Sequence, residues 1–224
     1  MGQEHIEEYL GAIYRLREQP DMPLPLSQLQ LYFGFSPISI HEMIQKLEAQ
    51  GMVEYLPYRG VLITSAGESI ASGVIRRHRI WERFLTDVLE MTWDQVHEVA
   101  GQLEHAAPEM VTERLAVLLG QPNFCPHGGA IPHAADEVEG QAELLASGLD
   151  QQPAGNYYRV VRIFPEITPN LQQLKKWNIS PGTILELVEK HDDGINVQLE
   201  SEAFVIPCGV AETIRVLGIR PAQM

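Results

Sequence analysis

The sequence predicts an α+β fold in three parts: an N-terminal winged helix-turn-helix, a helical middle and a small C-terminal β-barrel. Three observations carry this. Two helical patterns joined by the turn Gly34-Phe35-Ser36 are followed by two strand-like runs around Tyr58-Arg59-Gly60. Residues from about 66 to 119 then read as nearly continuous helix. From Tyr157 onward, short alternating runs recur at the spacing of strands in a small barrel.

The elements follow in order. Ile6, Tyr9, Leu10, Ile13 and Leu16 recur at helical spacing, so residues from about 3 to 18 form a first helix. The prolines Pro20, Pro23 and Pro25 end it. Ser27 has the chemistry to cap a short second helix ending near Phe33. Ser36 caps a third helix, with Pro37 in its first turn, where a missing N–H leaves no bond unmade. Ile40, Ile44 and Leu47 line one face of that helix, which stops at Gly51. Two helices across a short turn make the helix-turn-helix pattern, and the hairpin from Met52 to Thr64 supplies a wing. Ser65 and Glu68 have the spacing of a capping box and open the next helix.

Helical patterns run through Ile70–Leu89, Asp94–Ala106 and Glu109–Leu119. Val74, Ile75, Ile80, Trp81, Phe84 and Leu85 make the first of these too apolar for a lone surface helix, so it packs into a bundle or a dimer. Phe124 to His133 is a loop by its Gly and Pro content, and residues 134–155 are acidic, weakly patterned and read as a linker. Tyr158–Phe164, Thr183–Val188, Gly194–Leu199, Ala203–Ile206 and Glu212–Leu217 read as strands. The expected division is 1–70, 71–140, a linker at 141–155, and 156–221.

Composition bounds the function. The chain has 224 residues, 45% hydrophobic and 21% charged, with no apolar run near the roughly 20 residues of a membrane span. Its N-terminus is acidic and polar and does not read as a signal peptide. Two cysteines, Cys125 and Cys208, cannot build a disulfide framework, which points to free thiols and a cytoplasmic location. The net charge of −14 argues by itself against a nucleic-acid partner, while the winged helix argues for one.

Four stretches hold candidate metal ligands. Glu8 lies on the first helix; His78 and Glu82 sit at i, i+4 on the long helix; His97, Glu104 and His105 share a helical face; Cys125 and His127 sit two apart in a loop. Imidazole and carboxylate suit manganese, iron or zinc, and a thiolate adds affinity for softer ions. His97-Glu98 starts a zinc-protease signature, but Gly101 breaks it. An isolated His/Glu pair on a helix is ordinarily just solvated, and a lone Cys is ordinarily a small buried hydrophobe. His5, His41, His133 and His191 read as ordinary surface or core residues rather than ligands.

The combination EEYLGAIYRL, SPISIHEMIQKLEAQGMV, YRGVLITSAGE, RRHRIWERFL, LEHAAPEM and CPHGGAIP resembles the diphtheria-toxin-repressor family of metal-dependent transcription regulators, especially its manganese-sensing branch. The resemblance covers nearly the whole chain. It implies a DNA-binding winged helix, a helical dimerisation domain holding metal, and an SH3-like (FeoA-like) C-terminal domain. It further implies two sites. One combines Glu8 with His78, Glu104 and His105; the other combines Glu82 with Cys125, His127 and, from the C-terminal domain, Glu166. His97 matches a ligand position of iron-sensing relatives. Relatives usually carry Glu or Cys three residues before the Glu-His pair; here Gly101 offers only a backbone carbonyl, so the Cys125/His127 site is the better furnished.

The expected function is therefore a Mn2+-dependent DNA-binding regulator, with Fe2+ and Zn2+ as alternatives, that represses metal-uptake genes as a homodimer on a palindromic operator. Residues 1–70 hold four Lys/Arg against nine Asp/Glu, so phosphate contacts are few. Ser36, Pro37, Ser39, His41, Glu42, Gln45 and Lys46 on the third helix, with Tyr58 and Arg59 at the wing tip, are the candidate DNA contacts. Metal would cancel carboxylate charge and favour the DNA-competent state of the dimer. Two other readings are a metalloenzyme, a hydrolase using the His/Glu/Cys site, and a DNA-binding protein without a metal switch. The hydrolase needs a general base that no motif supplies.

Overall fold

The computed structural model describes residues 2–17, 21–132, 145–200 and 202–219. The chain divides into two compact units, Met1–Arg77 and His78–Met224, with the boundary inside a single helix.

The first unit contains α1 (Gln3–Leu16), α2 (Leu26–Phe33), α3 (Pro37–Ala49), β1 (Val53–Leu56), β2 (Gly60–Ile63) and the start of α4 (Ser65–Asp87). α1 buries Tyr9, Leu10 and Ile13, and α3 buries Ile40, Met43, Ile44 and Leu47, so each helix turns its apolar stripe into one core. Ala71 and Ile75 of α4 join that core. Ser36 caps α3 as expected, its Oγ accepting from Ser39 N, with Pro37 in the first turn. α2, by contrast, starts one residue before Ser27, and Pro25 stands at its N-cap with no side-chain bond. Thr64, not Ser65, caps α4: its Oγ1 accepts from Gly67 N. Glu68 turns away from any capping box to pair with Arg17 at 2.7 Å.

β1 and β2 form the antiparallel wing, in register Val53↔Ile63 to Leu56↔Gly60. Leu24 bridges to β2: its N–H donates to the Val61 carbonyl (2.8 Å) and its carbonyl accepts from Val61 N (2.9 Å). Gly60, at φ +130°, lies against the Leu24 carbonyl, where any Cβ would overlap it.

The second unit holds the rest of α4, then α5 (Val96–Leu103), α6 (Glu109–Leu118) and a six-stranded antiparallel sheet. Its strands are β3 (Ser147–Gly148), β4 (Asn156–Ile163), β5 (Ile184–Lys190), β6 (Gly194–Leu199), β7 (Glu202–Pro207) and β8 (Ile214–Ile219), in the order β3-β8-β4-β5-β6-β7. Val160, Ile163, Leu185, Leu187, Val197, Ile206 and Val216 fill its core. Two features depart from the sequence reading. Residues 147–151 lie within the segment read as linker, yet β3 pairs with β8 and Leu149 is fully buried. Their polar composition hid a strand only two residues long. α7 (Thr168–Lys176), where no element was expected, buries Leu171 and Leu174, and α8 (Cys208–Ala211) is a single turn before β8. His133 and residues 134–144 of the segment read as linker lie outside the described residues. No helix among the described residues is long and apolar enough to cross a membrane.

Candidate metal centre

α4 delivers two of the predicted ligands. His78 and Glu82, one turn apart, face inward, with 4% and 1% of their surface exposed. Two small apolar clusters hold α4 in place: Ile80 packs with Ala116 and Ile131, and Leu85 packs with Val96 and Ala100 of α5. α5 thereby presents His97 and, at its C-cap, Glu104.

The CPHG loop brings Cys125 and His127, both buried. Cys125 N donates to Gly129 O at 2.8 Å, and Gly128 N to Cys125 O at 3.0 Å, closing a tight turn. Gly128 has φ +89° and lies against the Val161 carbonyl, with no room for a Cβ. Arg79, next to His78, reaches the Ala130 carbonyl from the other side. The loop is joined to the sheet by Ile163 N, which donates to His127 O at 2.9 Å.

These groups meet at one oxygen. Glu82 Oε1 lies 2.9 Å from His78 Nε2, 3.1 Å from His97 Nδ1 and 3.1 Å from His127 Nδ1. His78 Nε2 is also 3.0 Å from His97 Nδ1. On its far side, His78 Nδ1 meets Glu104 Oε2 at 2.6 Å, and Glu104 Oε1 meets His105 Nε2 at 3.1 Å. The two sites implied by resemblance are thus joined through His78 into one buried polar network, with His97 between them. Among the described residues two triads can converge on a cation, His78/Glu82/His97 and Glu82/Cys125/His127, each with ligand atoms within 4.8 Å of one another.

Glu166, from the turn before α7, is half-buried close to this network. Burial works to raise its pKa, but His97, Arg162 and His127 together hold it below the ordinary value, against the opposing charge of Glu82. Burial likewise opposes ionisation of Glu82, yet His127 and His78 keep it well below the usual carboxylate range. His127 answers in kind: burial disfavours its charge, but Glu82 and Cys125 hold its pKa well above the ordinary value.

The residues fit a divalent cation on a specific observation. His127 Nε2 lies 2.7 Å from the Trp93 carbonyl, an acceptor, so this nitrogen donates. That leaves Nδ1, fully buried, without a hydrogen-bond partner; Glu82 is near it but out of line. A buried ring nitrogen without a bond, beside a carboxylate and a thiol, is the arrangement of a ligand whose orientation is fixed from behind. Trp93 and the cations Arg79 and Arg162 could not be found in the sequence, because their roles are set by backbone positions distant along the chain.

Glu8 is exposed on α1 in the first unit, whereas the network is built wholly from the second. At Gly101 an added Cβ would meet nothing within 4 Å, so the position has space for a side chain it does not carry. The candidate DNA contacts lie on α3 and the wing. Ser36 and Ser39 bond each other, Oγ to Oγ, at 2.9 Å. His41 packs edge-on against Tyr55 of β1, with ring centroids 5.1 Å apart. Pro37, Glu42, Gln45, Lys46, Tyr58 and Arg59 are exposed, Tyr58 at the wing tip with φ +64°.

Comparison with known proteins places these features in context. Residues 1–61 match the N-terminal DNA-binding domain of iron-dependent repressors, and residues 64–133 match their metal-binding and dimerisation domain. A diphtheria toxin repressor of Corynebacterium glutamicum is 32% identical over 191 residues, covering 82% of this chain and 83% of its own length. The iron-dependent repressor IdeR of Mycobacterium leprae is 31% identical over 159 residues, covering 69% of each. Among solved structures, a manganese-dependent transcriptional repressor in complex with manganese superposes with a TM-score of 0.84 at 29% identity, covering 96% of this chain and all of that one. ScaR with bound zinc superposes at 0.82, with 25% identity, covering 96% of this chain and 99% of that one.

Proposed function

The chain belongs to the iron-dependent repressor family, and from that membership we propose that it is a manganese-responsive repressor of metal-uptake genes. The observation that carries the reading is the orphaned Nδ1 of His127 beside Glu82 and Cys125. The donor set is mostly imidazole and carboxylate, which suits manganese and iron; one thiol does not exclude either. Zinc remains a competitor for the same donors.

Glu82, Cys125 and His127, joined by Glu166, are the principal ligands in this reading, with His78 and His97 as a second set sharing Glu82. A divalent cation there would supply the positive charge that the buried carboxylates otherwise take from protonated imidazole. To hold such a cation His127 would give up its Nδ1 proton, and its bond to the Trp93 carbonyl would keep the ring oriented. α4 carries Ala71 and Ile75, which belong to the winged-helix core, and His78 and Glu82 in the turns that follow.

A second copy of the chain covers the outer face of α6 in this reading. Met110, Val117 and Leu118 are 65%, 68% and 67% exposed, too apolar a run to stand in water. The metalloenzyme alternative finds no support: the matching families are repressors, not enzymes.

The test is capture of fragmented genomic DNA by the purified protein with manganese, with iron under anaerobic conditions, and with chelator. Enrichment of a few palindromic sites near metal-transport genes, strongest with manganese, is expected. Substituting Glu82 and Cys125 together should abolish the metal response. A retained response in that double variant removes the site assignment, and equal capture with chelator removes the switch.

A further inference from the structure

α3 is amphipathic in an unusual sense. Ile40, Met43, Ile44 and Leu47 face the core. On the opposite face stand Ile38, Glu42 and Gln45, at i, i+4 and i+7. Ile38 occupies the first turn and is 72% exposed. A large β-branched side chain at the leading end of this helix contributes nothing to the fold.

Three residues earlier, in the turn before the helix, stands Phe35, 52% exposed. It stacks on Phe33 at 5.7 Å, and Phe33 stacks on the buried Tyr9 at 4.4 Å. The aromatic column holds Phe35 rigid at the surface. The hydroxyls that flank Ile38 are occupied, because Ser36 and Ser39 bond one another. Cations are also scarce: Arg17 is paired with Glu68, and Lys46 and Arg59 are the exposed ones on α3 and the wing.

Resting on the reading of this unit as the DNA-binding part, we propose that Ile38 reads the C5-methyl group of a thymine in the major groove. The N-terminal residues of a recognition helix are those that reach base edges, and the thymine methyl is the one apolar group there. An acidic domain with few phosphate contacts gains discrimination from such a contact without needing charge. Glu42 and Gln45, one and two turns further along the same face, extend the row of readers.

The experiment begins by selecting a high-affinity duplex from a randomised pool in the presence of manganese. Each thymine in it is then replaced singly by deoxyuridine, which keeps every hydrogen-bonding group and removes only the methyl. Binding is measured for the natural protein and for Ile38→Ala. In the natural protein one thymine per half-site should lose about fourfold in affinity on replacement, the effect of withdrawing one buried methyl. In Ile38→Ala the two duplexes should bind equally. Because the comparison is made within each protein, a partly folded variant does not obscure it.

A deoxyuridine penalty that persists unchanged in Ile38→Ala overturns the proposal. So does the absence of any sensitive thymine. An altered oligomeric state of Ile38→Ala, with the penalty intact, would reassign the patch to a protein contact. Failure of the natural protein to bind any duplex with metal would overturn the repressor reading itself, and this proposal with it.

Discussion

His127 donates from Nε2 to the backbone carbonyl of Trp93 at 2.7 Å, and this bond fixes which ring nitrogen faces Glu82 and Cys125. Trp93 in turn packs against the core of the six-stranded sheet. The aim of a ligand is thus set by a residue whose position depends on the C-terminal sheet, and the consequences can be measured.

Replacing His127 with Ala should lower manganese affinity by more than about 100-fold, beyond the loss usual for a supporting residue. Competition against a fluorescent chelator reads this directly. The rise in melting temperature on adding manganese should vanish in the same variant. A natural-size rise would remove His127 from the ligand set.

Stability should respond to pH in opposite senses with and without metal. The raised pKa of His127 means the attraction between its charge and that of Glu82 stabilises the metal-free fold fully below the ordinary 6.5 and fades as pH rises through the folded value. The lowered pKa of Glu82 means its contribution is present above 4.5 and fades as pH falls through its folded value. A cation on His127 would displace its proton, so the manganese-induced increase in melting temperature should grow as pH rises toward the folded value of His127. A metal increment independent of pH would show that no proton is displaced.

Gly101 lies within α5 with open space around its missing side chain. Gly101→Ala should stabilise the fold by about 0.5–1 kcal/mol through backbone entropy alone. Gly101→Glu should in addition raise the number of manganese ions bound, counted by elemental analysis after gel filtration, by completing the ligands around Glu104 and His105. Unchanged stoichiometry with intact folding would show that this end of the network does not bind a cation.

Gly128→Ala should cost roughly 2 kcal/mol or more, since φ +89° strains an L-residue and the new Cβ meets the Val161 carbonyl. Manganese affinity should fall with it, although Gly128 supplies no ligand. Urea denaturation and the chelator competition measure the two losses separately. Stability lost with affinity kept would mean that the loop's turn does not set the ligand geometry.

Asp94 and Lys175 tie the start of α5 to α7 at 2.7 Å. Lys175 is largely exposed and Asp94 buried. Lys175→Ala should therefore cost less than about 1 kcal/mol. Asp94→Ala should cost more, because Asp94 also accepts from Thr92 and from its own backbone. Equal losses in thermal melts of the two variants would contradict this ranking.

Some of this architecture could be read directly from residue order. Ser36-Pro37 opened α3 where capping chemistry requires, because a cap is a local interaction within four residues. The wing was visible in alternating residues around Gly60. α2 and α4 show the limit. Pro25 stands where Ser27 was expected, and Thr64 caps in place of Ser65, since several polar residues compete for each helix start and tertiary packing selects one. α7 has no clear signal in the sequence, since its nine residues bury only Leu171 and Leu174, too short an apolar stripe to stand out before packing is known.

By itself the sequence determined the ligand inventory and the spacings that place His78 above Glu82, since helical periodicity is intrinsic to the backbone. What it could not contain is convergence. That one oxygen of Glu82 meets His78, His97 and His127 depends on α4, α5 and the CPHG loop arriving together from positions up to 49 residues apart in the chain. The free nitrogen of His127 depends likewise on the Trp93 carbonyl, 34 residues earlier. Only packing of the cores decides which distant backbone groups stand within hydrogen-bond reach, because buried polar atoms take whatever partners the surrounding apolar contacts bring to them.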